Sequence, residues 1–255
     1  MNARLSRLLL CLFIILGLSG LPINAGSAQE VSQAEALLAR MTPSEKVGQL
    51  FLITFDGSEI LETSSIVDLI SNYHVGGVVL SADHNNFVDN SSDAWQLIQT
   101  LQEINWQKSN PLDTGAPANP DNTYIPLYIG MNLVKENNRT PQLLSGLTQY
   151  PSPMSIGATW STELAQEVGN LVGLELSALG VNLLLGPSLD VVDSKDLVAA
   201  AYVGTQSFGG DPYWVGEMGM AYVEGVHLGS QGRMSVIAQH FPGLGSVDRP
   251  PNEEV

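Results

Sequence analysis

The sequence predicts a parallel α/β fold, and within that class a (β/α)8 barrel of the TIM type fits better than an open doubly wound sheet. Three observations carry this. Val75-Gly-Gly-Val-Val-Leu80, Ile125-Pro-Leu-Tyr-Ile-Gly130 and Val181-Asn-Leu-Leu-Leu185 are apolar on both faces, as strands buried between layers are. Longer segments with helical apolar spacing alternate with them. Polar residues gather where strands end, at Asn132, Asp190 and His240, and barrels place their chemistry at strand ends. No glycine-rich phosphate loop follows the first strand, which weakens the nucleotide-binding version of the doubly wound sheet.

Each element has its own local signal. Thr42-Pro-Ser-Glu45 is a helix start, with Thr42 as cap, Pro43 in the first turn and Glu45 closing a capping box. Leu50 to Phe55 is expected to be a buried strand. Ile66, Leu69 and Ile70 recur at helical spacing, and Val75 to Leu80 is the second strand. Ala94, Leu97, Ile98, Leu101 and Ile104 line one helical face. Ser109 to Asn122, rich in Pro, Asn, Asp and Gly, is a loop. Ile125 to Gly130 is the third strand. Ser161 caps a helix with apolar residues at Leu164, Val168, Leu171, Val172, Leu176 and Leu179, and Gly180 stops it. Val181 to Leu185 is the fourth strand. Asp211 caps a helix reaching about Leu228, and Met234 to Ala238 is a further strand. Ala200 to Val203 is a candidate short strand. Five strands, or six with that one, fall short of the eight that closure needs, so the expectation is a barrel cut before closure. The four tryptophans are expected to pack, Trp95, Trp106 and Trp214 on helices and Trp160 at a junction.

The first residues have a different character. Arg4 and Arg7 precede a nearly unbroken apolar run from Leu8 to Leu21, and the small-residue stretch Asn24 to Ala28 follows. That order is a secretory signal, residues 1–28, with cleavage after Ala28; the run is short for a membrane span, and an uncleaved anchor is the alternative. Residues 29–40 lead into one domain, 41–255. The only cysteine, Cys11, lies in the signal, so the mature chain has neither disulfides nor thiol chemistry. A formal net charge of −16 argues against nucleic acid and anionic lipid surfaces as partners. No cofactor is expected. His74, His84 and His227 lack metal-ligand spacing and are taken as surface or core residues.

Several ordered motifs then resemble one family. Met41-Thr-Pro-Ser-Glu-Lys-Val-Gly-Gln-Leu-Phe51, Pro151-Ser-Pro-Met-Ser-Ile-Gly-Ala-Thr-Trp160, Gly186-Pro-Ser-Leu-Asp-Val191, Ser207-Phe-Gly-Gly-Asp-Pro212 and His240-Phe-Pro-Gly243 resemble the N-terminal barrel of glycoside hydrolase family 3. The branch most similar is the bacterial β-N-acetylhexosaminidase type, marked by a Lys-His-Phe-Pro-Gly-His-Gly run followed by Asp-Ser-His. The resemblance implies retaining hydrolysis, with an aspartate nucleophile and a histidine acid/base steered by an aspartate. In that family the nucleophile comes from a later strand, expected beyond Val255, so residues 1–255 alone are expected not to hydrolyse substrate.

Carried over residue by residue, the resemblance implies that His240 contacts sugar hydroxyls. Gln239 replaces the lysine before it, and Leu244 replaces a histidine. Asn132 replaces a sugar-binding aspartate, and the arginine that follows in the family has a displaced counterpart in Arg139. Gln206 replaces an arginine, while Asp190 is retained, either as a structural carboxylate or a ligand contact. Asp248 corresponds to the aspartate of Asp-Ser-His, and Pro250 stands at the acid/base position, where proline can transfer no proton. The expected function is a secreted hydrolase of β-linked sugars with β-N-acetylglucosaminides foremost and a carbohydrate ligand as partner. The alternative is a non-catalytic saccharide-binding or scaffold relative. A phosphate-binding barrel enzyme such as an aldolase has little support, because no lysine sits at a strand end.

Overall fold

The computed structural model describes residues 32–87, 90–109, 124–133, 145–192, 195, 200–201 and 203–246. The chain divides into two compact units between Arg40 and Met41. In the first, helix α1 (Gln33–Arg40) buries no residue. Everything that follows concerns the second.

Its elements run α2 (Pro43–Gly48), β1 (Leu52–Ile53), α3 (Ser65–Ser71), β2 (Gly77–Leu80), α4 (Ser91–Ser109), β3 (Tyr128–Met131), α5 (Pro153–Gly157), α6 (Thr162–Leu179), β4 (Leu183–Ser188), α7 (Pro212–Gly229) and β5 (Ser235–Gln239). The capping box at Thr42 forms as the sequence predicts, with the Glu45 N–H donating to Thr42 Oγ1 at 3.2 Å and the Thr42 N–H to Glu45 Oε2 at 2.7 Å. Ser161 and Asp211 cap α6 and α7, and Gly180 ends α6 in the left-handed region at φ 98°.

All strand pairs are parallel, in the order β1-β2-β3-β4-β5. This order decides between the two architectures. A parallel crossover is right-handed almost without exception. When every crossover also steps to the next strand in the same direction, the helices fall on one face and the sheet curls toward a barrel. A doubly wound sheet instead reverses its order at a switch point. The sheet is open among the described residues, with β1 and β5 at its edges.

The core lies between sheet and helices. Val78, Leu80, Ile129, Met131 and Leu184 pack against Ile98 and Leu101 of α4 and Val172 and Leu176 of α6. Polar side chains stitch the amino ends of the strands. Asn182 accepts from the Ile129 N–H at 2.7 Å and donates to the Leu127 carbonyl at 3.0 Å, and Gln102 of α4 also donates to that carbonyl, at 2.9 Å. Helices α6 and α7 meet backbone to backbone. A Cβ on Gly169 would collide with the Tyr222 carbonyl, and one on Gly225 with that of Gln166.

Several expectations are corrected. The first strand is only two residues long, because Leu50 and Phe51 finish the turn that closes α2; Leu50 is 81% exposed. Ala200, Ala201 and Val203 are helical, so they add no strand. The buried face of α6 is Ala165, Gly169, Val172, Gly173, Leu176 and Leu179; Val172, Leu176 and Leu179 fall on the predicted stripe, whereas Leu164 is exposed and Gly169 and Gly173 are buried because they meet α7. Trp95, Trp106 and Trp160 are exposed rather than core, and Trp214 lies at the surface with its ring edge-on to Trp160. Of the loop predicted over Ser109 to Asn122, Ser109 is instead the last residue of α4, and 110–122 lie outside the described residues.

Candidate functional site

In a parallel sheet every strand ends on the same side, and three of the sequence-predicted residues meet that condition. Asn132 follows β3, Asp190 lies just beyond β4 and His240 follows β5. Strands β4 and β5 are neighbours, which brings Asp190 and His240 together although they are 50 residues apart. His240 Nδ1 lies 2.7 Å from Asp190 Oδ2.

Asp190 is the anchor of this end of the sheet. Its side chain is 1% exposed. Oδ2 also accepts from the Ser188 hydroxyl at 2.7 Å, and Oδ1 accepts from the Leu244 N–H at 2.6 Å. Burial opposes ionisation of this carboxyl, but the Leu244 N–H, the His240 ring and the Ser188 hydroxyl outweigh it and hold its pKa below the ordinary aspartate value. An ionised carboxylate only accepts hydrogen bonds, so the hydrogen of the pair sits on His240 Nδ1. That leaves Nε2 as an acceptor in the neutral ring. The His240 side chain is 42% exposed, so Nε2 can be reached from solvent.

The segment after β5 is folded back on this anchor. The Leu189 N–H donates to the Gln239 carbonyl, and a Cβ on Gly245 would collide with the Val191 carbonyl. The peptide bonds Gln239–His240 and Phe241–Pro242 are cis, as is Gly186–Pro187 on the β4 side. Ser207, fully buried, places its hydroxyl 2.6 Å from the Asp190 carbonyl and 2.8 Å from that of Gly209. This pins the Ser207-Phe-Gly-Gly turn beneath the site. Gln206 ends a short 3-10 turn immediately before it, and Gln239 is the last residue of β5; both are partly exposed. Asp248, Pro250 and Arg139 lie outside the described residues. Among the described residues no group of three or more His, Cys, Asp or Glu side chains could hold a metal.

A second aspartate–histidine pair occupies the carboxyl ends of β1 and β2. His84 Nδ1 lies 2.8 Å from Asp56 Oδ1. Here the buried polar group is Asn86, with no exposure at all. It donates to the carbonyls of Phe55 and Gly57 at 2.9 and 3.0 Å and accepts from the Ser81 N–H at 2.9 Å. The Gly57 N–H donates to the His84 carbonyl at 2.8 Å. Metal-ligand spacing does not mark His84 in the sequence. The strand-end position that singled out Asn132, Asp190 and His240 applies equally to Asp56 and His84.

Comparison with known proteins gives this arrangement its context. Residues 42–252 match the model of the glycosyl hydrolase family 3 N terminal domain. A β-N-acetylglucosaminidase/β-glucosidase of Cellulomonas fimi is 30% identical over 221 residues, covering 86% of this chain and 32% of that protein. A β-hexosaminidase of Thiobacillus denitrificans is 31% identical over 184 residues, covering 70% of this chain and 43% of that protein. Among solved structures, a glycoside hydrolase family 3 β-N-acetylglucosaminidase from a Paenibacillus species superposes with a TM-score of 0.64 at 29% identity, covering 80% of this chain and 34% of that one. The chain thus spans less than half the length of each of these relatives. The family match over nearly the whole second unit, the sequential parallel sheet and the His-Phe-Pro-Gly turn after β5 agree, and the chain belongs to glycoside hydrolase family 3 through its N-terminal domain.

Proposed function

We propose that the protein is a secreted glycoside hydrolase that cleaves O-glycosyl bonds of β-linked sugars, β-N-acetylglucosaminides foremost, with retention of configuration. The observation that carries this reading is the Asp190–His240 pair at the carboxyl ends of β4 and β5, in a chain of this family. Relatives bearing the names β-hexosaminidase and β-N-acetylglucosaminidase support the substrate class. Asp190 holds the imidazole in one tautomer, and His240 Nε2 accepts a hydrogen bond from a sugar hydroxyl. Asn132, Gln239 and Gln206 supply neutral amide contacts around it. Retention requires a carboxylate that attacks the anomeric carbon and a group that protonates the leaving oxygen. Asp248 is a candidate to steer the proton transfer. Export rests on the positive, apolar and small-residue order of residues 1–28.

A second reading is favoured by one observation. Asn132, Gln206 and Gln239 are all amides, and Pro250 cannot transfer a proton. A non-catalytic saccharide-binding protein would share those features. Incubating the full-length protein with aryl β-N-acetylglucosaminide separates the two. Turnover, with a covalent glycosyl-enzyme trapped by a fluorinated sugar, is the expected result. Sugar binding without turnover would establish the binding protein instead.

A further inference from the structure

We infer that His84, aimed by Asp56, is a second saccharide contact on the same face as His240. The inference rests on the reading of that face as a sugar site and extends it to the opposite end of the sheet. The chain has four histidines. His74 precedes β2, and His227 lies in the last turn of α7, ahead of β5, so both belong to the amino ends of the strands. His84 and His240 are at the carboxyl ends, and these two form the histidine–carboxylate pairs found among the described residues. In both pairs Nδ1 faces the carboxylate, at 2.8 and 2.7 Å. A carboxylate accepts, so in both Nδ1 donates and Nε2 is left as the acceptor. The same half of each imidazole is thus spent on orientation, and the same half is left for a ligand hydroxyl.

The seat of His84 is built rather than incidental. Asn86 is fully buried and spends its amide on two carbonyls of the β1 loop, while the Gly57 N–H returns to the His84 carbonyl. These bonds fix the β2 loop against the β1 loop on both sides of His84. The side chain itself is 29% exposed, which leaves it open to a ligand. A saccharide of more than one ring fits these groups best, because the two pairs lie on either side of β3. Each ring carries hydroxyl donors in several directions, and each oriented acceptor can take one from a different ring.

The test uses the full chain with 15N-labelled histidine, titrated with chitobiose while the ring nitrogens of all four histidines are followed by NMR. We expect the Nε2 signals of His84 and His240 to move together with one midpoint, and those of His74 and His227 to stay. In His84→Ala the midpoint should rise about fivefold to tenfold, the weight of one hydrogen bond, while the His240 signal still responds. Movement of His240 with a stationary His84 overturns the inference and leaves the sugar site standing. A silent His240 overturns the sugar site itself. An unchanged midpoint in His84→Ala, with the fold intact by circular dichroism, also overturns the inference.

Discussion

The pairs Asp56–His84 and Asp190–His240 have nearly the same bond, 2.8 and 2.7 Å, at the two ends of one sheet, and opposite surroundings. Asp190 is 1% exposed and accepts from a ring nitrogen, a hydroxyl and a backbone N–H; Asp56 is 87% exposed. In the Asp190 pair the carboxylate holds the backbone of two strand ends together. In the Asp56 pair that work falls to Asn86, and the carboxylate only aims the ring. Contact distance therefore says little about energetic weight. What decides is how much water the carboxylate has lost and how many donors depend on it.

The largest expected effect follows from that contrast. Asp190→Ala leaves the Leu244 N–H, the Ser188 hydroxyl and the His240 ring without their acceptor in a site with little water. We expect a loss of about 3 kcal/mol in urea-induced unfolding, together with loss of saccharide binding. A loss below about 1 kcal/mol would show that the loop after β5 does not depend on this carboxylate.

Asn86→Ala is next. It strands two carbonyls and one N–H at the β1–β2 end, and should cost about 2 kcal/mol by the same measurement. Saccharide affinity should fall with it, because His84 loses its seat while Asp56 remains. If stability falls and the His84 ring still responds to ligand as before, the amide is a structural weld with no bearing on binding.

Much of this contrast was legible in the residues. Asp190 and His240 stood out because they follow apolar strands and lie in recognisable motifs, and the parallel class followed from strands apolar on both faces. The partners of Asp190 were not legible. The Leu244 N–H is a backbone group, which residue identity does not encode, and Leu244 itself stood out only as a lost histidine. Asn86 is one of many asparagines in a polar stretch, and only the pairing of β1 with β2 shows that it bridges two loops. The buried face of α6 was legible only in part, at Val172, Leu176 and Leu179, for a related reason. Apolar spacing favours large residues, whereas Gly169 and Gly173 are buried because α7 approaches too closely for a side chain. The two-residue β1 was overestimated because Leu50 and Phe51 are apolar yet exposed at the sheet edge.

Acid sharpens the comparison further. The folded pKa of Asp190 lies below its ordinary value of 3.8. A depressed carboxyl contributes stability that is complete above the unfolded value and is lost as pH falls through the folded one. The chain should therefore keep this contribution at neutral pH and lose it below about pH 4. Unfolding midpoints of wild type and Asp190→Asn, measured from pH 7 down to pH 2, should converge toward the acid end. Parallel curves across that range would mean that Asp190 carries none of the acid sensitivity.

Asp56→Asn should have the smallest effect, and for that reason it tests the contrast most directly. An amide of nearly the same shape keeps a carbonyl that can accept from His84 Nδ1, and the exposed carboxylate it replaces is well solvated whether or not the ring is near. Exposed ion pairs are worth little and are screened by salt, so stability should change by less than about 0.5 kcal/mol, and by less still as salt rises. The ring should still lose orientation, because the charge-assisted bond is the stronger one. A modest loss of saccharide affinity with unchanged unfolding would separate aiming from anchoring, which in Asp190 cannot be separated. Should Asp56→Asn instead destabilise the chain as much as Asp190→Ala, burial would not be what distinguishes the two pairs.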